Sequence, residues 1–122
     1  MSTTLFRAGR VLLALIFVLS ALGKLADWSG TAAYMAAKSM PLVPLFLAAA
    51  IVLELGGGLA VLTGRGARLG AVALVVFLVP TTLIFHNFWA AAGIERQNQL
   101  AHFMKNVAIV GGLLLVAASD RE

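Results

Sequence analysis

Four ionisable side chains stand inside stretches that are otherwise apolar: Lys24, Glu54, His86 and Lys105. A carboxyl, an imidazole and two ammonium groups can accept, relay and donate protons, and together they can hold an oxygen that carries negative charge. Each costs at least ~2.5 kcal/mol near the centre of a bilayer, so such a group normally turns toward the protein interior and finds a partner. Asn87 and Asn106 adjoin His86 and Lys105 and extend the polar set, and Trp89 adds an amphipathic ring close by. With two lysines against one glutamate the set is net positive. That suits a small anionic, phenolic or quinone-like headgroup held in an apolar pocket with few polar groups.

Each residue also has a structural reading. Glu54 lies about twelve residues into its apolar stretch, roughly 18 Å along a helix at 1.5 Å per residue. No snorkelling route exists for so short a side chain at that depth. It either locks helices together as a hydrogen-bonded glutamate or serves as a proton acceptor or ligand contact. Lys24 sits three residues before Asp27 and can pair with it or snorkel outward. Lys105 is expected in the first turn of the last helix, an unfavourable place for a cation unless a partner holds it. His86 alone reads as an interfacial histidine.

The elements that must position these groups are four apolar stretches, about 8–26, 42–62, 69–88 and 101–118. Each is close to the ~20 residues that span ~30 Å of hydrocarbon as a helix. The expected fold is therefore all-α, a four-helix transmembrane bundle forming a single domain over residues 1–122. The first stretch is read as a retained span rather than a cleaved signal peptide, because its loss would remove one wall of the bundle. Residues 27–40, with Asp27, Trp28, Tyr34, Met35 and Lys38, suit a short interfacial helix between the first and second spans. Trp28, Tyr34 and Trp89 would form an aromatic belt. Residues 95–99, Glu-Arg-Gln-Asn-Gln, read as a solvated turn.

Helices in lipid need small residues where they touch. Gly56, Gly57 and Gly58 in the second span, and Ala108 and Gly112 in the fourth, supply them. Pro80 should kink the third span, with Thr81 and Thr82 available to satisfy freed backbone groups. Arg7, Arg10, Arg65, Arg68 and Arg121 gather on one side of the predicted topology, which places both termini in the cytoplasm.

Composition agrees and excludes alternatives. The chain is 61% hydrophobic and 11% charged, where soluble domains carry about 25% charged residues. A soluble domain of this length buries only about two-thirds of its unfolded surface, so the apolar excess needs a lipid solvent. No cysteine is present, which removes thiolate chemistry and thiolate metal sites. The nine basic residues form no stripe, so nucleic acid is not an expected partner. One buried carboxylate and one histidine are too few for a bundle-core di-metal centre, and no metal site is expected.

In order, Phe17-Val-Leu-Ser-Ala-Leu-Gly-Lys24, Tyr34-Met35 with Pro41, Leu53-Glu54-Leu-Gly-Gly-Gly58, Phe85-His-Asn-Phe-Trp89, and Phe103-Met-Lys105-Asn106 with Gly111-Gly112 resemble the DoxX family of small bacterial membrane proteins. The likeness covers nearly the whole chain. It implies a four-helix protein of the bacterial cytoplasmic membrane and tilts the pocket toward quinone-type ligands, without supplying a catalytic residue. Two functions follow as expectations. One is a quinone-interacting component of a membrane redox or oxidative-stress system, an oxidoreductase component by resemblance, with electrons from a redox partner protein. The other is a non-catalytic membrane scaffold, or a binder or carrier of a small amphipathic molecule. A homodimer through glycine-rich faces suits either.

Overall fold

The computed structural model describes residues 2–119; Arg121 lies outside them. Five α-helices follow in order: α1 (Thr3–Ala26), α2 (Trp28–Ala37), α3 (Val43–Thr63), α4 (Ala67–Phe85) and α5 (Gly93–Ala118), with a 3₁₀ turn at Phe88–Ala90 before α5. α1, α3, α4 and α5 are each long and apolar enough to cross a membrane. α2 is the short helix expected between the first two spans. Both described chain ends lie at one end of the bundle, the terminal end, and α2 lies at the other.

One residue, Asp27, separates α1 from α2 and ends one while starting the other. Its backbone N–H donates to the Gly23 carbonyl, closing α1. Its side-chain Oδ1 accepts from the Gly30 N–H at 3.1 Å, capping α2. Asp27 is thereby committed to the turn, so Lys24 does not find its partner there.

The terminal half is the packed half. Ala14 and Phe17 of α1, Val61 of α3, Ala71 and Leu74 of α4, and Leu113 of α5 form its core. Two of the glycines expected at helix contacts do that work in different directions. A Cβ on Gly57 would stand 3.1 Å from the Gly70 carbonyl of α4, and one on Gly58 would stand 3.1 Å from Val18 of α1. Gly56 faces open space. Gly112 of α5 packs on Leu13 of α1, while Ala108 is exposed.

The α3–α4 turn needs Gly64 for two reasons. Its φ of 85° is left-handed, and a side chain there would strike the Arg10 guanidinium, whose Nη1 lies 2.7 Å from the Cβ position. Arg10 is buried against this turn, and its Nε and Nη1 have no hydrogen-bond partner among the described residues. The guanidinium lies at the C-terminal end of α3, where the helix dipole favours a cation.

In two places the structure differs from the sequence expectation. Residues 95–99 are the first turns of α5, not a solvated turn. Glu95 stands in the first turn, where the dipole favours an acid, and its Oε1 accepts from Gln99 Nε2 at 3.1 Å one turn on. A polar helix end above the apolar stretch satisfies its own backbone, which hydropathy alone does not register. Consequently Lys105 lies twelve residues into α5 rather than at its start, and the argument from the positive helix end does not apply to it. Pro80 lies inside α4 as expected; Thr81 and Thr82 each donate to the carbonyl four residues back, those of Phe77 and Leu78, at 2.7 Å.

The α3–α4 crossing should be intolerant of bulk. Gly70→Ala places a Cβ 2.9 Å from the Gly57 carbonyl, and thermal unfolding in detergent should show a loss of about 1–3 kcal/mol. Gly56→Ala, made into open space, should be within about 0.5 kcal/mol of the parent or more stable.

Candidate functional site

The α2 half of the bundle is hollow where the terminal half is packed. A cavity of about 850 Å³ is lined from α1, α2, α3 and α4. Its walls are mainly apolar and aromatic, with Tyr34, Met35, Phe46, Phe77 and Phe85 among them. Tyr34 of α2 stacks on Phe85 of α4 at 5.4 Å between ring centres, so α2 closes the cavity over an aromatic contact. The mouth is on the flank of the bundle: Phe46, Val76 and Ile84 line the cavity yet are 44%, 64% and 38% exposed. On a membrane protein that flank meets lipid tails.

Lys24 Nζ reaches Glu54 Oε1 at 2.5 Å and also donates to Ser20 Oγ at 2.7 Å. Ser20 lies one turn back along α1, so the lysine runs toward the bundle interior instead of snorkelling out. Helical geometry explains the direction: Cα–Cβ bonds tilt toward the helix N-terminus, and for α1 that is inward. Glu54 is buried, and Lys24 is the member of the pair that lines the cavity. An ammonium carries three donors, of which two are engaged, so one remains for a ligand.

Two further basic groups line the cavity. Lys38, just past α2, donates to Asn87 Oδ1 at 3.3 Å. His86, at the end of α4, has its Nδ1 2.8 Å from Gln99 Oε1 of α5, and its ring stacks on His102 at 5.0 Å. Lys24, His86 and the Glu54 that neutralises Lys24 are thus brought to one region, and Asn87 joins it through Lys38.

The other candidate residues are placed elsewhere. Lys105 is exposed on α5, and no hydrogen bond or ion pair joins it to another described residue; it is not part of the cavity lining. Trp89 is exposed and packs edge-on against Phe88 at 5.3 Å and Phe103 at 6.1 Å, beside α5. Asn106 is buried between α4 and α5, where its Nδ2 donates to Thr82 Oγ1 at 3.0 Å. That contact ties two spans together and borders a separate void of about 170 Å³. Among the described residues no group of three metal-binding side chains forms.

Ser20, Lys38 and Gln99 are among the polar groups that reading the sequence did not assign to the site. Ser20 had a signal, since it stands four residues before Lys24 and so on the same helical face. Lys38 and Gln99 belong to segments whose geometry comes from tertiary packing.

The ion pair can be tested through stability. Lys24→Ala leaves the Glu54 carboxylate buried and alone, and should lower unfolding stability in detergent by about 3–5 kcal/mol. The double variant Lys24→Met with Glu54→Leu removes both charges and should recover most of that loss.

Similarity to known proteins agrees with this architecture. The sequence matches the DoxX family over residues 5–87. It is 39% identical over 110 residues to the inner membrane protein YqjF of Escherichia coli (strain K12), covering 88% of this chain and 78% of that one. It is 31% identical over 108 residues to the inner membrane protein YphA of the same organism, covering 88% and 77%. No solved structure matches. With a family match across three of its four spans, inner membrane relatives aligned over 88% of the chain and four apolar helices, the chain is an integral membrane protein of the DoxX family.

Proposed function

We propose that the protein is the quinone-binding component of a redox or oxidative-stress system in the bacterial cytoplasmic membrane. The observation that carries this reading is the aromatic-walled cavity, open on the lipid-facing flank, with Lys24, ion-paired to the buried Glu54, in its wall. A ring headgroup with an apolar tail would enter from the bilayer without crossing water. The remaining donors on Lys24 and Lys38 would hold its oxygens, and Tyr34, Phe77 and Phe85 would pack against its ring. About 850 Å³ is ample for a one- or two-ring headgroup. Quinones supply the two-electron, two-proton chemistry that this chain's own side chains lack. Electrons would come from a partner protein, and Glu54 and His86 would exchange protons.

The relatives' names support a place in the inner membrane. Arg7, Arg10, Arg65 and Arg68 at the terminal end support termini on the cytoplasmic side. α5, most of whose apolar span is exposed, leaves a face for the partner or a second copy.

Purified protein should retain a lipid quinone on extraction, and added duroquinone should raise its melting temperature. At a hundred times the dissociation constant the stabilisation amounts to about 2.7 kcal/mol. Ala50→Trp, which fills the cavity, should abolish the shift while the protein still folds. Glu54→Gln keeps an oxygen for Lys24 to donate to, and should preserve the fold while removing quinone-linked redox activity in cells. No retained quinone together with no thermal shift overturns the proposal.

A further inference from the structure

Within that quinone-binding reading, on which this inference rests, we infer that Glu95 and Gln99 fix the tautomer of His86 so that the cavity favours the hydroxylated, reduced ring over the oxidised one. The reasoning runs inward from the surface. Glu95 is an exposed carboxylate and can only accept hydrogen bonds. The contact at 3.1 Å therefore requires the amide nitrogen of Gln99 to face Glu95. With its nitrogen so placed, Gln99 presents its Oε1 to His86, and at 2.8 Å that oxygen must receive a proton from Nδ1. A neutral His86 thus carries its hydrogen on Nδ1 and leaves Nε2 as a bare acceptor.

His102 covers one face of the imidazole at 5.0 Å, which leaves its edge and its other face for a ligand. Among the described residues no hydrogen bond is made to Nε2. Because His86 lines the cavity and Nδ1 is taken, Nε2 is the nitrogen left for a ligand. Elsewhere in the lining, Lys24 and Lys38 offer donors, which serve a carbonyl and a hydroxyl oxygen alike. His86 Nε2 differs, because only a ligand that carries an O–H can satisfy it. A quinol or phenol makes that bond; the corresponding quinone places a carbonyl oxygen against a lone pair and makes none. Glu95 and Gln99 are then positioning residues, acting on the ligand through His86.

The test reads the tautomer and the selectivity separately. Nitrogen-15 NMR of histidine-labelled protein in nanodiscs should show His86 protonated on Nδ1, and Glu95→Gln, which lets the Gln99 amide turn either way, should yield a mixture of tautomers. Calorimetric titration under anaerobic conditions should find durohydroquinone bound about three- to tenfold more tightly than duroquinone, the range one neutral hydrogen bond provides. Glu95→Gln should shrink that ratio, and His86→Phe, which keeps a ring against His102, should bring it close to one. Protonation on Nε2 in the parent protein, or equal binding of both forms, overturns the assignment of His86 and leaves the quinone-binding reading standing. Failure of both forms to bind the parent protein overturns that reading and this inference with it.

Discussion

The contact between Lys24 and Glu54 is the constraint to which the hollow half of the bundle is built. Two charges at this depth in an apolar chain each carry a desolvation cost of several kcal/mol, and only their mutual approach, with Ser20 accepting a further hydrogen bond from the ammonium, offsets it. The pair therefore dictates that α1 and α3 lie side by side with Ser20, Lys24 and Glu54 facing one another. It also sets the polarity of the cavity. With Glu54 neutralising Lys24, the remaining basic character comes from Lys38 and His86 at the α2 end, so polar groups ring one end of a space whose other walls are hydrocarbon and aromatic rings.

A hollow half requires a firm half. The backbones of α3 and α4 meet at Gly57 and Gly70, where even a methyl group would collide, and the side chains of Leu74, Val61 and Leu113 fill the space around that crossing. Beyond it the helices are free to stand apart, and Pro80 removes a backbone donor on the stretch of α4 that forms the cavity wall. Threonines at 81 and 82 turn back on carbonyls one turn earlier, so that wall stays helical where its ladder is interrupted. α2 then covers the space through Tyr34 and Met35.

The sequence reveals the spans and the buried carboxylate clearly, because apolar length and an ionisable group within it are local properties. Glu54 needed a partner, and the helical direction of Lys24 makes that partner legible afterwards. What stayed hidden depends on how helices begin and where loops end. The polar run at 95–99 carries no hydropathy signal of a helix, yet Glu95 and Gln99 propagate α5 beyond the apolar stretch and bring an amide to His86. The same extension leaves Lys105 on the outer face of α5 and Asn106 inside. Two adjacent residues on a helix point about 100° apart, so once Asn106 turns to Thr82, Lys105 turns away.

Arg10 bears on how the chain reaches this state. Its guanidinium rests on the bare Cα of Gly64, in a turn that is made fifty-four residues later in synthesis. Until that turn exists, the only comfortable place for the charge is among lipid headgroups. The Arg10 end of α1 therefore cannot take its final packing before the α3–α4 turn is made, although α1 is the first span to be synthesised.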